Sequence, residues 1–159
     1  MSEKIKIEPW RKCWRNGVDP CLTTDQLLIL QKALVDDDPR LLQGATTTPP
    51  PLACVADWPC EGACALAYVG AMEMGGLGVT KEEWRQKKSP SISKSTVGAA
   101  TVQEAEEFFA RTCFEVDKRL GEPAGCRWFL NWFDDTPRQE MREKLLGEVE
   151  RSLLLRATL

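Results

Sequence analysis

Apolar residues first recur at helical spacing at Leu27, Leu30, Leu34 and Val35. Thr23 and Gln26 ahead of them fit a capping box, with Leu22 placed to staple onto Leu27. Asp36-Asp37-Asp38-Pro39 ends this helix, because the residue before a proline avoids the helical region. The strongest amphipathic stripe is Val102, Ala105, Phe108, Phe109, Cys113, Val116 and Leu120. Thr101 and Glu104 cap it. Glu104, Glu106 and Glu107 at its start and Lys118 and Arg119 at its end suit the helix dipole, and Gly121 provides the exit.

The stretch from Pro123 to Phe133 reads as an aromatic helix. Phe129 and Phe133 lie on one side, Trp128 and Trp132 on the other. Met141, Leu145, Val149 and Leu153 carry a last helix behind Thr136, Pro137 and Gln139, a further capping box. Thr80 and Glu83 announce a short helix in the same way. Asp57 and Pro59 predict a helix from there to Met74 that is rich in small residues, with Ala63, Ala67 and Ala71 on one face. Small side chains there let another helix approach closely.

No strand-period segment competes with these elements. The pattern therefore predicts an all-α compact bundle of about five or six helices. The run from Thr46 to Pro51, three threonines then three prolines, is a Pro-rich connector. Residues 1–20 read as an irregular basic arm that lays Trp10 and Trp14 on a single all-α domain, 21–159. Within that domain, residues 85–100 carry Arg85, Lys87, Lys88 and Lys94 around Ser89-Pro90-Ser91 and read as a mobile basic loop.

Composition sharpens the functional picture at one point above all: the 159 residues include no histidine. Histidine is the usual proton carrier near neutral pH, the base of Ser-His-Asp and Cys-His machinery, and a ligand in most catalytic zinc sites. No arranged set of carboxylates, lysines or tyrosines replaces it, so the sequence predicts a non-enzymatic protein. A net charge of -3 gives no field that would draw nucleic acid, and no nucleic-acid motif is present. The most apolar window, Ala63 to Val79, holds Glu73 and three glycines and is no membrane span. Met-Ser-Glu-Lys at the start is not a secretory signal, and seven cysteines suit reduced thiols in the cytoplasm.

Six tryptophans stand against one tyrosine, and they are interleaved with arginine. Trp and Arg dominate binding hot spots and cation–π contacts. Arg127, Trp128, Trp132 and Arg138 are therefore the leading partner-binding candidates, with Trp10, Arg11 and Trp14 as a second patch, for a protein partner or a second copy of the chain. The competing interpretation of each tryptophan is that it fills the core. Two alternatives use other residues. Cys54, Cys60 and Cys64, with Cys126 as a fourth ligand, could hold zinc or an iron–sulfur cluster or act as redox-sensing thiols, although no Cys-x-x-Cys knuckle is present. A small molecule could lie under the small-residue helix 60–74.

Two phrases add a resemblance. Asp38-Pro39-Arg40-Leu41-Leu42-Gln43-Gly44 running into the Thr/Pro connector, and Glu122 to Arg138 with its Trp-Phe-Leu-Asn-Trp-Phe-Asp-Asp centre, resemble an uncharacterised family of small soluble cyanobacterial proteins. The resemblance spans Asp38 to the end, with residues 85–96 resembling an insertion. It implies a cytoplasmic setting, no assigned reaction and no functional residues.

Overall fold

The helical run that opens the chain is built on two tryptophans that point inward. In the computed structural model, which describes residues 7–86 and 98–158, α1 (Pro9–Cys13) continues through a wider π-type turn (Trp14–Val18) into α2 (Asp19–Cys21). The wider turn lies just ahead of Pro20, whose ring and missing N–H disfavour an ordinary α turn there. The expected irregular arm is thus corrected: from Pro9 onward it is helix, and it belongs to the core. Trp14 is 0% exposed and Trp10 3%. Residues 1–6, and positions 87–97 of the expected basic loop, lie outside the described residues.

α3 (Thr24–Asp36) starts at the expected box, with both reciprocal bonds between Thr23 and Gln26 formed. It ends where Asp37 turns left-handed at φ 49°. The next segment departs from expectation. No helix starts at Asp57. The chain makes a single tight turn at Ala53–Val55 and then strand β2 (Gly62–Ala63), which pairs antiparallel with β1 (Thr47–Thr48) in the Thr/Pro connector. Leu42 N–H also donates to the Ala63 carbonyl and Ala63 N–H to the Arg40 carbonyl. Gly62 suits the close approach there: a Cβ would come within 3.1 Å of the Arg40 carbonyl oxygen. The helix begins only afterwards, as α4 (Ala65–Glu73). The fold is thus mostly α with a two-stranded patch that the sequence did not predict.

α5 (Lys81–Gln86) is short. α6 (Val102–Leu120) has both bonds of the Thr101–Glu104 box and leaves through Gly121 at φ 66°. α7 (Arg127–Asp135) carries the aromatic pair of faces, and α8 (Arg138–Ala157) closes the chain. Thr136 does not cap α8. Pro137 takes the N-cap position in extended backbone, and no side chain caps it.

α8 packs on α3, α6 on both α4 and the opening run, and α7 on α1. The small residues of α4 serve the approach of α6: a Cβ on Gly70 would come within 2.3 Å of the Phe108 ring. Phe108 thus occupies the face of α4 that Gly70 leaves open. Likewise Gly17 lets the opening run meet α6, since a Cβ there would come within 2.8 Å of Val116. Leu27, Leu30, Leu66, Phe129, Phe133, Met141 and Leu145 are fully buried between these layers.

Two buried carboxylates tie the layers together. Asp38 is 0% exposed and accepts from Arg40 Nε and Nη2 at 2.9 and 2.7 Å and from the Tyr68 hydroxyl at 2.6 Å. Arg40 donates its remaining reach to the Val79 carbonyl. Glu148 on α8 is also buried and accepts from Arg11 at 2.7 Å and from Arg15 at 2.8 and 3.0 Å. Burial works against charge on both acids, but the arginine hydrogen bonds outweigh it and hold each pKa below its ordinary value.

A depressed carboxyl pKa adds stability above the ordinary value and loses it as pH falls toward the folded one. Stability should therefore be level from pH 7 to about pH 5 and fall below the ordinary values of 3.8 and 4.5. Urea midpoints measured across that range check it. A midpoint that stays flat well below the ordinary carboxylate range would contradict the assignment.

Candidate functional site

Trp10 of the opening run and Trp132 of the aromatic helix meet where the start of α1 lies against α7. Trp10 and Trp132 stack face to face, with ring centroids 3.6 Å apart and planes 5° apart. Trp10 Nε1 donates to Glu8 at 2.8 Å. Phe129 lies behind Trp132 and Trp14, with ring centroids 6.3 and 5.5 Å away. The stack floors an open groove of about 620 Å³, walled by Pro9 and Pro123. Trp128 stands on its rim, 52% exposed, with Nε1 donating to Glu122 at 3.2 Å. Single apolar residues at a surface are ordinary, and Trp128 adds a flat apolar ring with a polar N–H to the rim of the trough.

Why the chain folds this way here follows from α7. Residues 129 and 133 turn to the core and are fully buried, so 128 and 132 must face outward. Trp132 is half-buried between Phe129 and Trp10, and Trp10 is positioned by Pro9 at the first turn of α1. The segment before α7 is held by Asp117, which accepts from the N–H groups of Ala124 and Cys126 at 3.2 and 2.8 Å.

The other sequence candidates divide. Arg127 is exposed in the groove wall, and among the described residues nothing bonds or pairs with it. Arg138 lies elsewhere: its guanidinium donates to the Asp37 carboxylate and to the Leu41 and Asp38 carbonyls, so it closes the end of α3. Arg11 is occupied by Glu8 and Glu148, its charge 4.6 Å over the Trp10 ring. Trp14 is core, with Nε1 bonded to Ser152 at 3.1 Å. Arg11 and Trp14 are therefore corrected from contact residues to residues that fix the groove's back wall. Asn131 and Asp135 line the groove and were missed, since neither residue type stands out among aromatic neighbours.

The four cysteines considered as a thiolate set differ in burial and surroundings. Among the described residues no three of Cys, Asp or Glu are grouped to hold a metal ion. Cys54 is exposed, while Cys60 and Cys64 are buried. Burial pushes Cys60 and Cys64 up to about 12. Cys60 lies at no helix start, because α4 begins at Ala65 and Cys60 precedes β2. Cys126 lies instead beside Cys113, to which its thiol is hydrogen-bonded, and Cys13, whose thiol donates to the Gly125 carbonyl. In native protein near pH 7.5 Cys54 should react with a thiol reagent first, and Cys13, Cys60, Cys64 and Cys126 only on unfolding. Mass mapping of the labelled peptides tests this, and early labelling of Cys60 or Cys64 would contradict their burial.

Fold and groove together define a mostly α-helical protein with an aromatic surface trough. Among the described residues no helix is long and apolar enough to cross a membrane. In comparisons with known proteins the chain matches no family model, and no curated protein or solved structure is significantly similar to it.

Proposed function

We propose that this protein is a non-catalytic cytoplasmic binding protein that captures a protein partner in the groove between α1 and α7. The observation that carries the reading is Trp128, half-exposed above the Trp10–Trp132 stack with the free guanidinium of Arg127 next to it. Tryptophan and arginine are the residue types whose truncation costs most at interfaces. Seven free thiols, four of them buried, support a reducing compartment. The absence of histidine from the sequence supports a binding role over acid–base chemistry.

Trp128→Ala should lower the thermal midpoint only slightly, and far less than Trp14→Ala, because half of the side chain is already in water. It should weaken partner binding by roughly thirtyfold, the usual scale of a hot-spot truncation. The measurement compares affinity capture by the wild-type chain, by W128A and by Arg151→Ala on α8 as a distant control. Partners kept by R151A and lost by W128A support the groove. Partners kept by both variants would remove it.

A further inference from the structure

We infer that the occupant of this groove is an extended, proline-bearing peptide with an acidic residue at the Arg127 end and a basic residue at the Asp135 end. The inference rests on the α1–α7 groove being the binding site. Arg127, Asn131 and Asp135 are spaced four apart on α7 and so form one row along its surface. All three are exposed and line the groove. Among the described residues none of the three side chains has a hydrogen bond or an ion pair. Lys32, Glu150 and Arg151 are likewise unpaired among the described residues; what sets Arg127 and Asp135 apart is that they line the same aromatic groove. The row thus presents a free positive charge, a free amide and a free negative charge in that order.

The row is about 12 Å long, from the rise of a helix per residue. An extended polyproline-type chain covers that distance in about four residues. A peptide with opposite charges four positions apart therefore matches Arg127 and Asp135 together. Asn131, halfway between, has an amide NH2 that can donate to a carbonyl of the peptide, the one polar group its proline units offer. Trp128 and Trp132 run beside this row, one position on, and give flat indole faces. Trp132 is rigid because Trp10 backs it at 3.6 Å. Proline-rich segments dock on aromatic-lined grooves because their backbone is already extended and loses little entropy.

The test titrates isotope-labelled full-length protein with four capped peptides, Glu-Pro-Pro-Pro-Arg and the versions ending in Glu/Glu, Arg/Arg and Ala/Ala, and reads the indole N–H signals. The mixed-charge peptide should shift the Trp128 signal and bind roughly two- to fivefold more tightly for each charge pair than the uncharged one. Arg127→Glu should move the preference to the Arg/Arg peptide, and Asp135→Arg should move it to the Glu/Glu peptide. Equal affinity for all four peptides would overturn the charge pairing. Tighter binding of a helix-forming alanine-based peptide with the same two charges would overturn the extended form. No indole shift with any peptide would overturn the inference while leaving the groove itself to the W128A capture experiment.

Discussion

Asp38→Ala should destabilise the protein by about 3–5 kcal/mol, because it strands the Arg40 charge in the interior. Arg40 is only 9% exposed, and two of its nitrogens bond to the Asp38 carboxylate. A domain of this kind is stable by only about 5–15 kcal/mol, so the variant would sit near the edge of folding at room temperature. The loss does not measure the worth of the pair. It measures an uncompensated buried charge, and the double change Asp38→Leu with Arg40→Leu should recover a large part of it. Tyr68→Phe removes one hydrogen bond to the same carboxylate and should cost about 1.5–3 kcal/mol. Urea unfolding of the four proteins decides between these. A loss under about 1 kcal/mol in D38A would show that Arg40 reaches water when its partner is gone.

Trp14→Ala should cost about 3–5 kcal/mol by leaving a large cavity between the opening run, α7 and α8. The ring is fully buried and in tilted contact with Phe129. Its Nε1–H also satisfies Ser152, which has no exposure of its own, so truncation orphans a buried hydroxyl. Trp14→Phe with Ser152→Ala separates the two effects: it keeps most of the apolar volume and removes both polar partners, and should cost clearly less than W14A. The contrast with Trp128 is informative. Two tryptophans in the same Trp/Arg setting, one beside Arg15 and one beside Arg127, should behave oppositely, one in stability and the other in binding. If W14A unfolds no more easily than W128A, the burial assigned to Trp14 is wrong.

That contrast shows where sequence reading stops. The boxes at Thr23–Gln26 and Thr101–Glu104 were legible because both partners of each bond lie within one turn. The two faces of α7 were legible for the same reason. Thr136 failed although its motif looks alike, since Pro137 stays extended and moves the start of α8 one residue on. The start of α4 failed because Gly62 and Ala63 pair with Thr47, Thr48 and Leu41, and no local pattern announces such partners. Arg15 and Arg127 have similar neighbours in sequence. What separates them is Glu148, which lies 133 residues from Arg15 and neutralises it in the fold. Asp38 likewise reads as one of three helix-ending acids until Tyr68, 30 residues away, closes on it. The groove was half legible. Its tryptophans stood out, while Asn131 and Asp135 gained meaning only from being left without partners.

The Trp10–Trp132 stack has an optical consequence. Two indoles stacked at 3.6 Å couple their electronic transitions, and any twist of one ring against the other within the stacking plane turns that coupling into a paired circular-dichroism band of opposite signs that isolated tryptophans lack. One member belongs to α1 and the other to α7, so the band is present only while those two helices are docked. The protein thus carries its own label for the junction beneath the groove, one that reports separation of α1 from α7 even where the rest of the helical signal is unchanged.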